Sequence, residues 1–123
     1  MIVSPNKIVV LVVEDEPLLR MNAVDMVEEA GFEVLEAANS TQALRLLESR
    51  SDIRIILADI EMPPGIDGIK LVEMARDRHP PIEIILVSGR VFAADVQLPE
   101  RGLFFSKPYQ PADVVAALRR LAG

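Results

Sequence analysis

The residues best suited to chemistry in this sequence stand where short apolar runs end. Three runs, residues 7–13, 53–58 and 82–87, stop at an acidic pair, an aspartate and a serine, and a fourth, residues 102–106, stops at a lysine–proline pair. Short β-branched runs that alternate with helical patterns indicate buried parallel strands. Ligands of such sheets bind beyond the carboxyl ends of the strands. The residues that follow the runs are therefore predicted to form one pocket: Glu14, Asp15, Asp59, Ser88, Lys107 and Pro108.

The composition of this pocket favours a divalent cation and a transferred phosphoryl group. Its three carboxylates would repel one another unless a cation is bound. Mg²⁺ suits them because it takes a few hard oxygen ligands and keeps several waters. The lysine supplies a point charge that can contact phosphoryl oxygens.

Amphipathic stretches separate the apolar runs and predict helices between the strands. Residues 16–30 form the first, with Pro17 suited to its first turn and Gly31 to its C-terminal stop. Asn39 can cap the second helix, and the last begins near Pro111. Five strand–helix alternations predict an α/β protein with a parallel sheet and right-handed crossovers. The apolar face of the first helix consists of Leu19, Ala23, Met26, Val27 and Ala30.

Length and composition restrict the function classes. A chain of 123 residues, half of them apolar, is expected to be one domain spanning residues 1–123. It has no cysteine, which excludes disulfides and thiolate metal sites. A net charge of -6 argues against nucleic acid as a partner. The sequence shows no signal peptide and no apolar run that could span a bilayer, so a cytoplasmic protein without a membrane partner is expected.

Four stretches resemble the receiver domain of response regulators in two-component signalling, in the single-domain form known from chemotaxis regulators. They are residues 12–17 (VVEDEP), 56–68 (ILADIEMPPGIDG), 85–90 (ILVSGR) and 104–109 (FFSKPY). The resemblance covers about residues 7–121. It implies a flavodoxin-like three-layer sandwich with a five-stranded parallel sheet in the order 2-1-3-4-5 and helices on both faces. The switch point between the first and third strands would lie between Asp15 and Asp59.

The resemblance also assigns roles at the site. Asp59 would be the phosphoacceptor, forming an aspartyl phosphate. Mg²⁺ would be held by Asp15, Asp59 and the backbone carbonyl of Glu61, with Glu14 acting directly or through water. Lys107 and the hydroxyl group of Ser88 would contact the phosphoryl group.

The resemblance also defines an expected switch and the mouth of the site. Ser88 and Phe104 would be the switch pair, and Phe104 would act sterically because it lacks a hydroxyl group. A cis bond is expected before Pro108. Glu61 and Arg90 would border the path of attacking water and could pair across it.

The sequence departs from the family pattern in the region of the fourth helix. Only residues 91–98 could be helical there, since Pro99 ends the segment, and this predicts a shortened fourth helix. The connection that follows Asp59 is one residue longer than usual, which predicts a bulge at Pro64 and Gly65.

The expected function is that of a phosphoacceptor served by a histidine kinase or a histidine phosphotransfer protein. It would bind an unidentified downstream protein as a monomer or weak dimer, and it would not be an enzyme beyond assisting its own phosphorylation and dephosphorylation. A receiver fragment of a hybrid kinase or larger regulator is an alternative. An aspartyl-phosphate hydrolase is another, although Asp59 begins a D-x-E and not a D-x-D motif. A flavodoxin-like cofactor binder is disfavoured because Glu14, Asp15 and Glu16 would repel a phosphate.

Overall fold

The apolar runs of the sequence form strands, and the amphipathic stretches form helices. The structure, a computed structural model, describes residues 7–62, 67–89 and 97–123. Within these ranges the strands are β1 (Val9–Val13), β2 (Glu33–Ala37), β3 (Ile53–Asp59), β4 (Glu83–Ser88) and β5 (Gly102–Ser106). The helices are α1 (Pro17–Glu29), α2 (Ser40–Ser49), α3 (Gly68–Arg78) and α4 (Pro111–Ala122).

The five strands form one parallel sheet in the order β2-β1-β3-β4-β5. The predicted order 2-1-3-4-5 is confirmed. The chain moves from β1 outward to β2 and then returns past β1 to β3. The crossovers on either side of this reversal leave a crevice at the carboxyl ends of β1 and β3, which is where ligands of this topology bind.

Alternate side chains of the strands pack into two hydrophobic clusters, one on each face of the sheet. Leu11 and Val13 belong to the cluster that includes α2 and α3, whereas Val10 and Val12 belong to the cluster that includes α1 and α4. All residues of β1 are buried, as expected for a strand with helices above and below it. The predicted three-layer sandwich is confirmed.

The helix ends follow the chemistry that the sequence indicated. Pro17 occupies the first turn of α1, and Gly31, just beyond its end, has a φ of 100° that suits glycine. Asn39 caps α2 by accepting a hydrogen bond from the backbone N–H of Gln42 at 2.9 Å. Among the described residues no helix is long and apolar enough to cross a bilayer.

The apolar face predicted for α1 is not buried along its whole length. Ala23 and Val27 are buried, whereas Leu19, near the start of the helix, is 44% exposed. The shortened helix predicted for residues 91–98 falls mostly on residues that the structure does not describe. Residues 90–96 lie outside the described part of the chain, as do Pro64 and Gly65 with the predicted bulge, and residues 97–99 are not helical.

The start of α3 is packed directly against the backbone of Asp59. The N–H of Gly68 donates to the carbonyl of Ile60 at 2.9 Å. A Cβ atom added at Gly68 would collide with the carbonyl oxygen of Asp59, and that atom belongs to fixed backbone. Glycine is therefore required here for the close approach of helix and strand.

We expect Gly68→Ala to destabilise the protein by roughly 1–2 kcal/mol, because overpacking against backbone outweighs the better helix propensity of alanine. Urea denaturation gives the free energy of unfolding. Gly89→Ala is the matched control, since a Cβ atom there would meet only the Lys107 Cβ at an ordinary 3.7 Å. Equal stability of the two variants would contradict the packing argument.

Candidate functional site

The carboxyl ends of four strands bring the predicted site residues together. Asp59 is the last residue of β3 and is paired in register with Val87 of β4. Ser88 ends β4, and its carbonyl accepts a hydrogen bond from the backbone N–H of Lys107 at 2.8 Å. Glu14 follows β1 directly, beside the end of β3. Residues from positions 14 to 107 of the sequence thus meet at one edge of the sheet.

Lys107 is bonded to two buried carboxylates. Its Nζ lies 2.6 Å from Glu14 Oε1 and 2.9 Å from Asp59 Oδ2. Only 7% of either acidic side chain is exposed, compared with 19% of the lysine side chain. Buried charges need such partners because an isolated one would lose its hydration without compensation. The peptide bond between Lys107 and Pro108 is cis.

Burial shifts the pKa values of Glu14 and Lys107 in opposite directions, and the contact between the two groups opposes both shifts. Burial raises the pKa of Glu14 above its usual value, and the hydrogen bond from Lys107 opposes this only in part. Burial lowers the pKa of Lys107, but the hydrogen bonds that it donates to Glu14 and Asp59, together with the negative charges of these two groups, outweigh burial and raise the pKa. The lysine is therefore held in its charged form.

The acidic residues form a cluster that fits a divalent cation. Carboxylate oxygens of Glu14, Asp15 and Asp59 all lie within 4.8 Å of one another, and Asp15 is the exposed member. Three ionised carboxylates against one ammonium group leave two negative charges without compensation. Hard oxygen donors with this excess charge match the preferences of Mg²⁺.

The hydroxyl group of Ser88 is bonded to the side chain of Glu61. Ser88 Oγ lies 2.6 Å from Glu61 Oε2 and 2.8 Å from Glu61 Oε1. The backbone N–H of Glu61 in turn donates to Asp59 Oδ1 at 3.2 Å. The sequence placed Glu61 at the site, but it gave no sign that the glutamate would hold the predicted switch hydroxyl.

Sequence reasoning missed Arg20, which fixes the backbone beside the acidic pair. Its Nη1 donates to the carbonyl oxygen of Glu14 at 3.0 Å, and its Nε donates to Glu36 Oε1 at 3.1 Å. The guanidinium group thereby joins α1 and β2 to the end of β1. Nothing in the sequence distinguishes Arg20 from the other arginines, since the contact arises only from the packing of α1.

Of the two remaining members of the predicted site, Phe104 and Arg90, the structure describes only Phe104. Phe104 is partly buried and packs against the cluster on the α2 and α3 side of the sheet, and so does Leu98. Its role as a switch stays a prediction. Arg90 lies outside the described residues, and so does its expected pairing with Glu61.

An open cleft of about 420 Å³ gives access to these groups. Acidic side chains dominate its walls, and the ammonium group of Lys107 lies within it. The cleft can hold a small hydrated ion together with a phosphoryl group. Its lining residues are Glu14, Asp15, Glu16, Leu19, Asp59, Glu61, Gly89 and Lys107.

Fold and site define the class of protein, and comparison with known proteins gives the same class. The sequence matches the response regulator receiver domain family over residues 10–119. The chain therefore belongs to the response regulator receiver domain family, whose members are signalling modules of two-component systems.

Particular relatives come from several bacteria. The chain is 32% identical over 116 residues to sensor kinase CckA of Brucella abortus, and the matched region covers 91% of this chain and 12% of that protein. It is 31% identical over 111 residues to the phyllosphere-induced regulator PhyR of Methylorubrum extorquens, covering 89% of this chain and 41% of that protein. The chain thus spans less than half the length of each of these two relatives.

Solved structures show the same architecture. The receiver domain of a hybrid histidine kinase CckA superposes with a TM-score of 0.80 at 28% identity, covering 94% of this chain and 99% of that domain. A response regulator receiver protein from Sinorhizobium medicae gives a TM-score of 0.84 at 24% identity, with 94% of both chains covered. At 24% identity, the similarity to the Sinorhizobium medicae protein concerns the fold alone.

Replacement of Lys107 by methionine should destabilise the protein by about 2 kcal/mol at neutral pH, because it leaves two buried carboxylates without their partner. Urea denaturation measures the loss. Lys70→Met, at an exposed position on α3, is the matched control and should have little effect.

The cause can be tested by adding Glu14→Gln to the Lys107→Met variant. The double variant should be more stable than Lys107→Met alone, since one of the two unpaired buried charges is removed. A double variant that is less stable than Lys107→Met would show that unpaired charge is not the origin of the loss.

Proposed function

We propose that this chain accepts a phosphoryl group on Asp59 and that phosphorylation changes its binding to another protein. The observation that carries this proposal is the buried carboxylate of Asp59, 2.9 Å from the ammonium group of Lys107 at the switch point of a receiver sheet. The donor is a phosphohistidine of a histidine kinase or histidine phosphotransfer protein. The chain assists only its own phosphorylation and dephosphorylation, and the cytoplasmic location predicted from the sequence is part of this proposal.

In the proposed reaction, a carboxylate oxygen of Asp59 attacks the phosphorus atom. The new O–P bond forms as the N–P bond of the donor histidine breaks, and the released imidazole nitrogen takes up a proton from solvent. Lys107 stays charged and faces the oxygens of the transferred group, where it offsets their negative charge. The Ser88 hydroxyl, at the end of the neighbouring strand, donates a hydrogen bond to the same group.

Mg²⁺ fits the donor set of this site. Asp15, Asp59 and the backbone carbonyl of Glu61 would hold it, with Glu14 as a direct or water-mediated neighbour. When bound, the ion supplies positive charge that allows an anionic donor to approach the acidic cluster. Arg20 maintains the backbone position of Glu14 on which this arrangement depends.

The exposed apolar side chains of α1 support docking of a protein donor next to the cleft. Leu18 and Met21 are 65% and 52% exposed, and Leu19, 44% exposed, also lines the cleft. Apolar residues grouped in this way favour protein contacts over solvent. Because the chain spans 12% of CckA and 41% of PhyR, it can equally serve as the receiver portion of a larger regulator or hybrid kinase.

Phosphorylation of Asp59 is tested by incubating the protein with a small acyl phosphate and Mg²⁺, followed by intact-mass and peptide mass spectrometry. The parent protein should gain the mass of one phosphoryl group on the peptide that contains Asp59. Asp59→Asn should abolish this gain, whereas Asp77→Asn, at an exposed position on α3, should not. Equal labelling of parent and Asp59→Asn would exclude Asp59 as the acceptor.

The metal site is tested through stability. Mg²⁺ at ten times its dissociation constant should stabilise the parent by about 1.4 kcal/mol, which corresponds to roughly 5 °C in melting temperature for a chain of this length. Asp15→Asn should lose most of this increase and, without Mg²⁺, be at least as stable as the parent because one repulsive charge is gone. Asp77→Asn serves as the control, and retention of the full Mg²⁺ effect in Asp15→Asn would contradict the assignment.

A further inference from the structure

The geometry points to a second role for Glu61: its carboxylate is an internal competitor of the phosphoryl group for the hydroxyl group of Ser88. We call the Glu61–Ser88 contact the latch. The inference rests on the proposed function, because the competitor is the phosphoryl group on Asp59. It concerns the side chain of Glu61, whereas the proposed metal ligand is the backbone carbonyl of the same residue.

The latch is short and well placed. Both carboxylate oxygens of Glu61 lie within 2.8 Å of Ser88 Oγ. Ser88 is 1% exposed, whereas Glu61 is partly exposed and lines the cleft together with Asp59. A charged acceptor makes this a stronger hydrogen bond than one between neutral groups. The hydroxyl group is thus held towards the cleft by an anion before any phosphoryl group arrives.

Donor capacity makes the two partners of Ser88 mutually exclusive. A serine hydroxyl carries one proton and can donate it to one acceptor at a time. If the proton bonds a phosphoryl oxygen, Glu61 must give it up. The carboxylate of Glu61 therefore lowers the affinity of the site for a phosphoryl group, because the free energy of the Glu61–Ser88 hydrogen bond is lost when the phosphoryl group binds.

Fixed backbone confines the exchange to side chains. The carbonyl of Ser88 is bonded to the backbone N–H of Lys107, and the backbone N–H of Glu61 is bonded to Asp59 Oδ1. Opening the latch needs only rotation of the Glu61 and Ser88 side chains. Substitution of the Glu61 side chain consequently leaves its backbone contact with Asp59 in place, and Glu61 acts as a positioning residue through Ser88.

A double-mutant cycle on the full chain tests the latch, with beryllium fluoride as the phosphoryl mimic and saturating Mg²⁺. The four proteins are the parent, Glu61→Ala, Ser88→Ala and the double variant. Mimic affinity is measured by titration, and the labelling rate with a small acyl phosphate is measured in parallel. Urea denaturation checks that each variant folds, and Glu61→Leu, which is nearer in size to glutamate and has no hydrogen-bond acceptor in its side chain, replaces Glu61→Ala if the latter does not fold.

We expect Glu61→Ala to bind the mimic roughly tenfold more tightly than the parent. This is the ratio expected when binding no longer has to break one charge-assisted hydrogen bond. The same substitution should have little effect once Ser88 is alanine, because no hydroxyl group remains to be released. Glu16→Gln removes a charge from the wall of the same cleft, where the Glu16 side chain accepts a hydrogen bond from the backbone N–H of Leu19. It measures the purely electrostatic gain, which should be smaller and independent of Ser88.

Each result decides between the proposals. An equal gain from Glu61→Ala with and without Ser88 would reduce the role of Glu61 to general repulsion and overturn the latch, with phosphorylation of Asp59 still standing. Weaker mimic binding by Glu61→Ala would also overturn it. A parent protein that neither binds the mimic nor gains a phosphoryl group would overturn the proposed function and the latch with it.

Discussion

The ammonium group of Lys107 joins the end of β5 to the ends of β1 and β3. Its two bonds, 2.6 Å to Glu14 and 2.9 Å to Asp59, connect residues 93 and 48 positions away in the sequence. Two acids at the carboxyl end of a sheet would lose hydration with little return unless a cation reached them. The charge balance of the site therefore depends on β5 taking its place beside β4, because only then does Lys107 reach the cluster.

Three contacts hold the backbone beside the candidate site. Arg20 fixes the carbonyl of Glu14, Gly68 packs against the carbonyl of Asp59, and the carbonyl of Ser88 holds the N–H of Lys107. The side chains of Glu14, Asp59 and Lys107 extend directly from these backbone positions. A change of charge at Asp59 is thus expected to act first on side-chain hydrogen bonds, which have alternative partners, and not on the sheet.

Much of the fold and the membership of the site could be predicted because both depend on where buried runs end. A parallel strand covered on both faces reads as a continuous apolar run, so its last residue is visible in the sequence, as at Asp59 at the end of β3. The exposure of Leu19 could not be predicted, because helical periodicity indicates which residues share a face but not how far along the helix that face is covered. The contacts of Arg20 and of the Glu61 carboxylate depend on side-chain rotamers chosen by neighbours distant in sequence, and no local pattern encodes them.

The connection between β3 and α3 is fixed at both of its ends. The N–H of Ile60 donates to Val87 and its carbonyl accepts from Gly68, both at 2.9 Å, and the side chain of Met62 is buried. The chain therefore leaves the sheet and enters the helix at points that do not depend on how many residues lie between them. Closing a slightly longer loop costs little free energy. A reporter peptide inserted into this connection is therefore expected to leave Asp59 in register with Val87.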